Sequence, residues 1–446
     1  MKTHDSVALG IPEIMLPRKG VDLSKWAVVA CDQFTSEPEY WEKVTRFIGA
    51  APSTLNLIYP EVYLAEKNPE ARIARIRDSM NSYLEKDVFE TREGFVYVER
   101  ATGRLTRKGL MVCLDLEQYD FRREATSLIR ATEGTILERI PPRVKIRQGA
   151  PIEIPHIMVL VDDPSDTVIG PLTRKKAELQ KLYDFDLMMN SGHLTGYIVS
   201  GSELEAKVIN SLKELADPDV FAKKYLSCRG TPVLLFAMGD GNHSLATAKT
   251  IWEKTKESSA NKTGVLNSPL RYALVELVNL HDKALVFEPI HRALFDLEPG
   301  RDVLKEMGDF YPGRCRYSEV RSLQALESAV DSQKAGSHKI GVITSSGFGL
   351  IEVENPEANL PVGTLQNFLD VFLKKKGARG IDYVHGTESV AQIGKKQSAM
   401  GLYLPAMNKN DLFKTVILEG VLPRKTFSMG EAWQKRFYME TRRLQS

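Results

Sequence analysis

The chain has 446 residues, 43% of them hydrophobic and 26% charged, and 60 basic against 58 acidic residues leave a formal net charge of +2. This length exceeds one ordinary compact core, so we expect two or three domains or lobes, and the near balance of charge argues against a chain devoted to nucleic acid. The lack of a long apolar run predicts no membrane span, and the lack of an apolar stretch at the N-terminus predicts no signal peptide, so we expect a cytoplasmic protein.

The four cysteines lie far apart, at positions 31, 113, 228 and 315, and form no Cys-x-x-Cys pair. Reduced thiols in a cytosolic chain are the simplest account of this spacing. We expect each of them to be a small core residue.

Strand-like and helix-like runs alternate along the chain, which predicts a mixed α/β (α+β) fold. The strand-like runs are residues 26–31, 94–100, 110–116, 152–161, 193–199, 232–236, 271–278, 314–320 and 399–405, with a hairpin over 340–353. The helix-like runs are residues 39–48, 68–89, 172–188, 202–216, 245–254, 302–309, 322–332, 365–376 and 431–443.

A polar turn follows the first buried run. Asp32, Gln33 and Thr35 stand just past a strand, where ligands often meet an α/β sheet, so they are candidates for the rim of a site. The alternative is local: Ser36 and Glu39 have the spacing of a capping box for the next helix.

The stretch 128–137 places polar residues among apolar ones. Arg130 could clamp a phosphate or carboxylate, and Glu133 could be a general base. Thr135 is a further candidate for phosphate binding, and Gly134 permits close approach of the backbone. An exposed loop with a local ion pair is the rival interpretation.

The stretch 236–249 predicts a strand, a glycine-rich turn and a helix, and we expect the working centre here. Gly239 and Gly241 allow a tight turn and close approach of a ligand to the main chain. The first amides of a helix have no partner within the helix and carry the positive end of its dipole, so the turn predicts an anion site.

Four polar side chains crowd onto this turn. Asp240 could take a proton or hold a metal, and His243 could contact a phosphate or carry a proton. Asn242 and Ser244 complete the set as candidate phosphate ligands. The alternative is an ordinary turn in which Asn or Ser caps a helix.

Further candidates lie towards the C-terminus. His385 and Asp382 flank a turn, and Arg424 and Lys425 belong to a basic strip suited to an anion. The charged run 431–443 favours a terminal surface helix.

Five segments together resemble the prokaryotic family known as domain of unknown function 1015. They are Val29–Trp41, Arg130–Thr135, Gly239–Ala248, Asp382–Gly386 and Leu422–Gly430, which occur in the family's order across essentially the whole chain.

The central turn is also similar to that of the ParB/sulfiredoxin-like superfamily, which includes kinases acting on free L-serine. In those kinases the turn has the sequence Asp-Gly-His-His-Arg. Asp240, Gly241 and His243 match it, whereas Asn242 and Ser244 replace a histidine and the arginine. This replacement removes a positive charge that neutralises phosphate.

The resemblance implies a ParB/sulfiredoxin-like core with additional αβ lobes. On this basis we expect an N-terminal αβ lobe over 1–125, a central catalytic core over 126–298, a small αβ insertion over 299–360 and a C-terminal segment over 361–446 that packs back on the core.

The leading hypothesis is a phosphotransferase of the free-serine-kinase type, moving phosphate between a nucleotide and serine, phosphoserine or a similar small hydroxy compound. The resemblance implies Mg²⁺ and an adenine nucleotide (ATP or ADP) as cofactors. Asp240 would hold the metal or orient the hydroxyl, His243 would contact the transferred group and Glu133 would be the base. Arg130, Lys249 or Arg424 would supply the missing positive charge.

Two other functions remain open at this point. One is a ParB-like, nucleotide-dependent protein associated with DNA, and the other is a hydrolase of phosphate esters that uses water as the acceptor. A small-molecule substrate is expected for the leading hypothesis, and the sequence leaves the oligomeric state open.

Overall fold

A computed structural model of the chain describes residues 1–226 and 230–445. The chain divides into two compact units, Met1–Leu285 with Glu431–Ser446, and Val286–Gly430. The four-part division expected from the sequence stays a prediction. The position of Cys228 lies outside the described residues, and Cys31, Cys113 and Cys315 are free thiols.

Thirteen α-helices lie in the described residues. They are α1 (Leu23–Trp26), α2 (Pro38–Ile48), α3 (Pro69–Glu85), α4 (Ile140–Arg147), α5 (Gly170–Arg174), α6 (Ser202–Leu215), α7 (Pro218–Lys224), α8 (Asn242–Ser258), α9 (Val303–Phe310), α10 (Leu323–Asp331), α11 (Pro361–Lys374), α12 (Thr387–Gly394) and α13 (Asn410–Glu419).

The strands of the first unit up to β15 are β1 (Lys2–His4), β2 (Leu9–Ile11), β3 (Glu13–Pro17), β4 (Val28–Val29), β5 (Phe89–Glu93), β6 (Phe95–Thr102), β7 (Leu105–Asp115), β8 (Tyr119–Asp120), β9 (Ile129–Arg130), β10 (Ile152–Glu153), β11 (Met158–Val161), β12 (Lys181–Asp186), β13 (His193–Val199), β14 (Phe236–Asp240) and β15 (Tyr272–Asn279). The remaining strands are β16 (Glu288–Leu297), β17 (Cys315–Val320), β18 (Ser337–Thr344), β19 (Gly347–Glu354), β20 (Ala378–His385), β21 (Met400–Tyr403), β22 (Phe427–Ser428), β23 (Phe437–Tyr438) and β24 (Arg442–Arg443).

A large mixed sheet forms the centre of the first unit. Its strand order is β12-β13-β6-β7-β15-β11-β14-β9-β8, with β2 paired to β7 and β1 to β2. Alternate residues of β6 enter two different cores: Phe95 and Tyr97 pack in one, and Val96 and Val98 pack in the other. Both faces are therefore covered, and the alternating and mixed α/β character predicted from the sequence is confirmed.

The second unit has a sheet of its own. Its strand order is β17-β19-β18-β21-β16-β20, with β22 paired to β16. The predicted hairpin over 340–353 is present as β18 and β19, which pair in antiparallel register from Ser337 opposite Glu354 to Thr344 opposite Gly347.

The helix predicted over 172–188 is wrong. The short helix α5 and a 3-10 turn, Lys176–Glu178, are the helical parts there, and β12 follows them as the edge strand of the large sheet. The reason lies in a partner that is distant in sequence: Tyr183 stands opposite Gly196 on β13, and a Cβ atom on Gly196 would lie 2.1 Å from the tyrosine ring. Gly196 leaves space for the Tyr183 ring, which reaches that space because the segment around Tyr183 is a strand paired with β13.

The strand predicted over 152–161 is interrupted. β10 ends at Glu153 and β11 begins at Met158, because Pro155 has no amide hydrogen for the ladder. The interruption frees His156 from the sheet.

The terminal helix predicted over 431–443 is also wrong. A short 3-10 turn, Ala432–Gln434, is followed by β23 paired to β4 and β24 paired to β10. Arg436 and Arg442 are buried and pair with buried carboxylates, so they do not form a solvated helical face.

Helix length and apolarity also bear on the membrane expectation. Within residues 1–226 and 230–445, no helix combines the length and the apolar run that crossing a bilayer requires.

Candidate functional site

The predicted order of strand, turn and helix is present between β14 and α8, but the predicted strand bounds, 232–236, are wrong. The strand runs from Phe236 to Asp240 and so includes Gly239, and the helix begins at Asn242. Gly241 has a φ of 79°, in the left-handed region, and a Cβ atom there would lie 3.1 Å from the Ile157 Cα. At Gly239 a Cβ atom would lie 3.1 Å from the carbonyl oxygen of Met158. The positive φ and the tight fit favour glycine at position 241, and the tight fit against β11 favours it at position 239, independently of any ligand.

The N-terminus of α8 lacks the cap that the alternative interpretation expects. Gly241 occupies the cap position and has no side chain that could accept from the first amides of the helix. The helix is 17 residues long, and these amides carry the positive end of its dipole towards the turn. This arrangement is suited to an anion.

Asp240 is held at the turn by a lysine from the far end of the chain. Its Oδ2 lies 3.1 Å from the Lys435 Nζ, and its Oδ1 accepts a hydrogen bond of 2.9 Å from the Gly241 amide. Burial raises the pKa of Asp240, but Lys435, His156 and the Gly241 amide together outweigh it, so the pKa lies below its ordinary value. Asp240 is therefore a carboxylate at neutral pH.

The loop after β9 is attached to the start of α8. The Asn242 Nδ2 donates to the Glu133 carbonyl at 3.1 Å, and the Ile136 amide donates to the His243 Nε2 at 3.3 Å. The Thr135 Oγ1 and the Asn242 Oδ1 are buried, and neither has a hydrogen-bond partner among the described residues. The loop thus brings Glu133 and Thr135 to the turn and leaves two polar atoms able to bind a further group.

A buried histidine joins the turn to the first polar loop. The His156 Nε2 lies 3.2 Å from the Ser244 Oγ and 3.7 Å from the Asp32 Oδ2. The other ring nitrogen, Nδ1, lies 2.8 Å from the Tyr438 hydroxyl, and the Gln33 Nε2 donates to the Asp32 Oδ1 at 2.9 Å. Asp32 and Gln33 therefore lie near the turn, and their place on the rim of a site stays a prediction.

The C-terminal segment that carries Lys435 is anchored in the core. The neighbouring Arg436 donates to the carboxylates of Glu276 and Glu440. The Arg100 Nη2 donates to the Trp433 carbonyl at 3.1 Å. These buried contacts fix the backbone on both sides of Lys435 and so hold its ammonium group at Asp240.

Two predicted phosphate ligands have structural partners instead. Arg130 is buried and donates to the carbonyl oxygens of Ser127, Pro232 and Val233, and burial lowers its pKa to about 10. Lys249 donates to the Leu116 carbonyl and pairs with a glutamate one turn along α8. Their role in neutralising phosphate stays a prediction, and these contacts favour Lys435 as the source of the charge.

The remaining predicted residues belong to the second unit. His385 is exposed at the end of β20, Arg424 pairs with Asp370, and Lys425 has a φ of 53°. Their part in a site stays a prediction.

Three residues of this site were not singled out as functional by the sequence. His156 was part of a predicted strand, and Lys435 and Tyr438 were part of a predicted surface helix. Pro155 could have indicated that His156 lies outside the sheet, because a proline in a buried strand marks an interruption of that strand. The sequence offers no comparable signal for Lys435 or Tyr438, because their contacts join residues 195 and 282 positions apart.

In the part of the chain that the structure describes, no three His, Cys, Asp or Glu residues gather closely enough to hold a metal ion. Asp240 as a Mg²⁺ ligand stays a prediction.

The fold is that of a mixed α/β protein in which the turn before α8 follows a strand of the main sheet. The chain belongs to the family described as "Protein of unknown function (DUF1015)", whose pattern matches residues 15–372. None of the curated proteins matches the chain in sequence.

The chain is also similar to several solved structures. A free serine kinase variant in complex with AMP is 8% identical, with a TM-score of 0.39 over 74% of this chain and 90% of that one. A variant in complex with ADP is 9% identical, with a TM-score of 0.39 over 74% and 91%. A conserved hypothetical protein from Pyrococcus furiosus is 11% identical, with a TM-score of 0.36 over 75% and 95%.

Proposed function

We propose that the protein is a phosphotransferase that moves a phosphoryl group between an adenine nucleotide and a small hydroxy compound such as serine. The observation that carries the proposal is the uncapped N-terminus of α8 beside the Lys435 ammonium group. Backbone amides and a point positive charge are the two means by which proteins commonly hold phosphate. The serine acceptor comes from the similarity of residues 240–244 to the turn of free L-serine kinases.

Phosphoryl transfer requires positioning and neutralisation of charge more than covalent chemistry by the protein. In the proposed reaction the acceptor oxygen attacks the γ-phosphorus, the bond from phosphorus to the ADP oxygen breaks, and Glu133 takes the acceptor proton. The amides of α8, His243 and Lys435 would hold the transferred group. Mg²⁺, with Asp240 as one ligand, would neutralise the phosphate oxygens.

Binding is tested first by thermal shift with ATP, ADP, AMP, CTP, serine and phosphoserine, each with and without Mg²⁺. A ligand that binds only the native state at one hundred times its Kd adds about 2.7 kcal/mol of stability, which raises the midpoint measurably. We expect a shift with an adenine nucleotide that grows when serine or phosphoserine is added and vanishes in His243→Ala. His193→Ala is the matched control, because His193 pairs with Asp184 and Asp186 on the opposite edge of the same sheet.

Turnover is tested by following formation of phosphoserine from ATP and serine, and of ATP from ADP and phosphoserine. Glu133→Gln and Asp240→Asn should fold and bind but lose activity. Full activity in both would remove these roles. No shift with any nucleotide would refute the phosphotransferase and direct attention to other phosphate esters or to DNA.

A further inference from the structure

We propose that His156 is a positioning residue that makes the Ser244 hydroxyl a hydrogen-bond donor to bound phosphate. The inference rests on the proposed function, because it assigns the bound group at α8 to a phosphate. It adds Tyr438 and His156, which lie outside the turn, to the set of residues that shape the anion site.

The argument begins with burial. His156 is 8% exposed, and Tyr438 is 2% exposed, so their polar atoms depend on protein partners. The Cys31 amide donates to the Tyr438 hydroxyl at 3.1 Å, and that hydroxyl lies 2.8 Å from the His156 Nδ1. The tyrosine oxygen accepts the amide proton, and in the proposed arrangement it donates its own proton to Nδ1.

A proton accepted at Nδ1 leaves the ring proton of neutral His156 on Nε2. The Ser244 Oγ lies within hydrogen-bond distance of Nε2, at 3.2 Å, and the Asp32 Oδ2 lies beyond it, at 3.7 Å. The negative charge of Asp32 nevertheless favours a proton on the nitrogen that faces it.

The donor-to-acceptor direction of these hydrogen bonds determines whether the Ser244 hydroxyl can donate to a ligand. Once the Ser244 oxygen accepts from His156, the hydroxyl proton is left for another acceptor. Ser244 is the third residue of α8, so its hydroxyl lies beside the first amides of the helix, which also donate to a bound anion. Ser244 stands where the serine kinases whose turn it resembles have arginine. A hydroxyl fixed as a donor supplies a hydrogen bond at that position without a charge.

The test uses the full-length protein and measures the Kd of ADP and of inorganic phosphate by isothermal titration calorimetry. His156→Leu removes the donor to Ser244 and should weaken both ligands by about tenfold to a hundredfold, the usual cost of a hydrogen bond to a charged group. His156→Gln keeps an N–H that can reach Ser244 and should remain within about threefold of the wild type by the same reasoning. His193→Leu is the control, and tryptophan fluorescence verifies that each variant is folded.

A double-mutant cycle separates positioning from folding. If His156 acts through Ser244, His156→Leu should have little further effect in the Ser244→Ala background. Tyr438→Phe should reproduce part of the loss in the presence of Ser244 and none in its absence. Equal losses from His156→Leu with and without Ser244, or no loss at all while the wild type binds ADP, would overturn the inference alone. A wild type that binds neither ligand would overturn both this inference and the phosphotransferase.

Discussion

Substitution of the buried Arg436 tests how the C-terminal segment is held. Its side chain is 4% exposed and lies between the carboxylates of Glu276 and Glu440, each 1% exposed. Its Nε also donates to the Pro155 carbonyl at 3.2 Å. Arg436→Met keeps much of the volume and removes the charge, so two buried carboxylates lose their shared partner.

The expected loss of stability depends on the charges that stay buried after the substitution. Removal of one partner from a buried ion pair usually destabilises a protein by about 3–5 kcal/mol, because the other charge stays buried. The Arg107 Nε still lies 3.5 Å from the Glu276 Oε1 and retains part of the attraction. We therefore expect a loss of about 3 kcal/mol at pH 7, the lower end of that range.

The dependence on pH has a definite sign. In the wild type, burial raises the pKa of Glu276 while Arg107 and Arg436 lower it, and the net pKa lies below its ordinary value. That stabilisation is present above the unfolded pKa of about 4.3 and is lost as the pH falls through the folded value. In Arg436→Met the Glu276 carboxylate takes up a proton more readily, so the difference from the wild type should shrink between pH 7 and pH 5.

Urea unfolding monitored by tryptophan fluorescence is a suitable assay. The four tryptophans, Trp26, Trp41, Trp252 and Trp433, all belong to the first unit, so the signal reports on the unit that contains Arg436. Arg443→Met is the matched control, because Arg443 is an exposed arginine nearby in the chain and should change the free energy of unfolding by less than about 0.5 kcal/mol. A loss below about 1 kcal/mol for Arg436→Met, or a loss that does not change with pH, would refute the reasoning about buried charge.

Three further predictions follow from single contacts. Gly241→Ala should destabilise the first unit by about 1–3 kcal/mol, because alanine is strained at positive φ and its Cβ would crowd Ile157; urea unfolding that matches the wild type would contradict this. Lys435→Met removes the closest cation from Asp240 and should raise the pKa of Asp240 and weaken binding of ADP by about tenfold, the cost of one charge-assisted hydrogen bond; calorimetry measures the affinity, and equal affinity would exclude Lys435 from the anion site. Arg292→Met should destabilise the second unit by about 1–3 kcal/mol, because the Gln366 side chain and the carbonyl oxygens of Ile290 and Arg424 lose their donor and stay buried; hydrogen exchange measures this unit separately, and unchanged protection there would contradict the expectation.

The central turn could be predicted because its determinants are local. A strand, a tight turn and a helix are indicated there by one short stretch of sequence, which contains an apolar run followed by Gly239 and Gly241. The other two loops could also be nominated from local sequence. The loop of Asp32 follows a buried run, and the loop of Glu133 places polar residues among apolar ones. Their meeting at one turn depends on the pairing of β9 with β14 and on His156, which no local pattern contains.

The C-terminal segment could not be predicted because its charged residues suggest an exposed helix, whereas two of its arginines are buried. A run containing Lys435, Arg436, Arg442 and Arg443 is typical of a solvated helical face, and charged residues are rarely buried unless paired. The pairing carboxylates, Glu153, Glu276 and Glu440, lie on strands or in the same segment, and nothing in the sequence links them to these arginines. Burial of Arg436 and Arg442 is therefore a property of the assembled core and not of the local sequence.

This arrangement gives a physical reason why the turn can lack the arginine found in the serine kinases whose turn it resembles. An arginine within the turn would bring its charge to phosphate by local geometry alone. Here the nearest cation of the turn, Lys435, comes from a segment 195 residues away and reaches Asp240 because buried contacts hold that segment against the main sheet. Under the proposed function, the affinity of the site for phosphate would then depend on the folding of the C-terminal segment, so the buried ion pairs of Arg436 would support binding as well as stability.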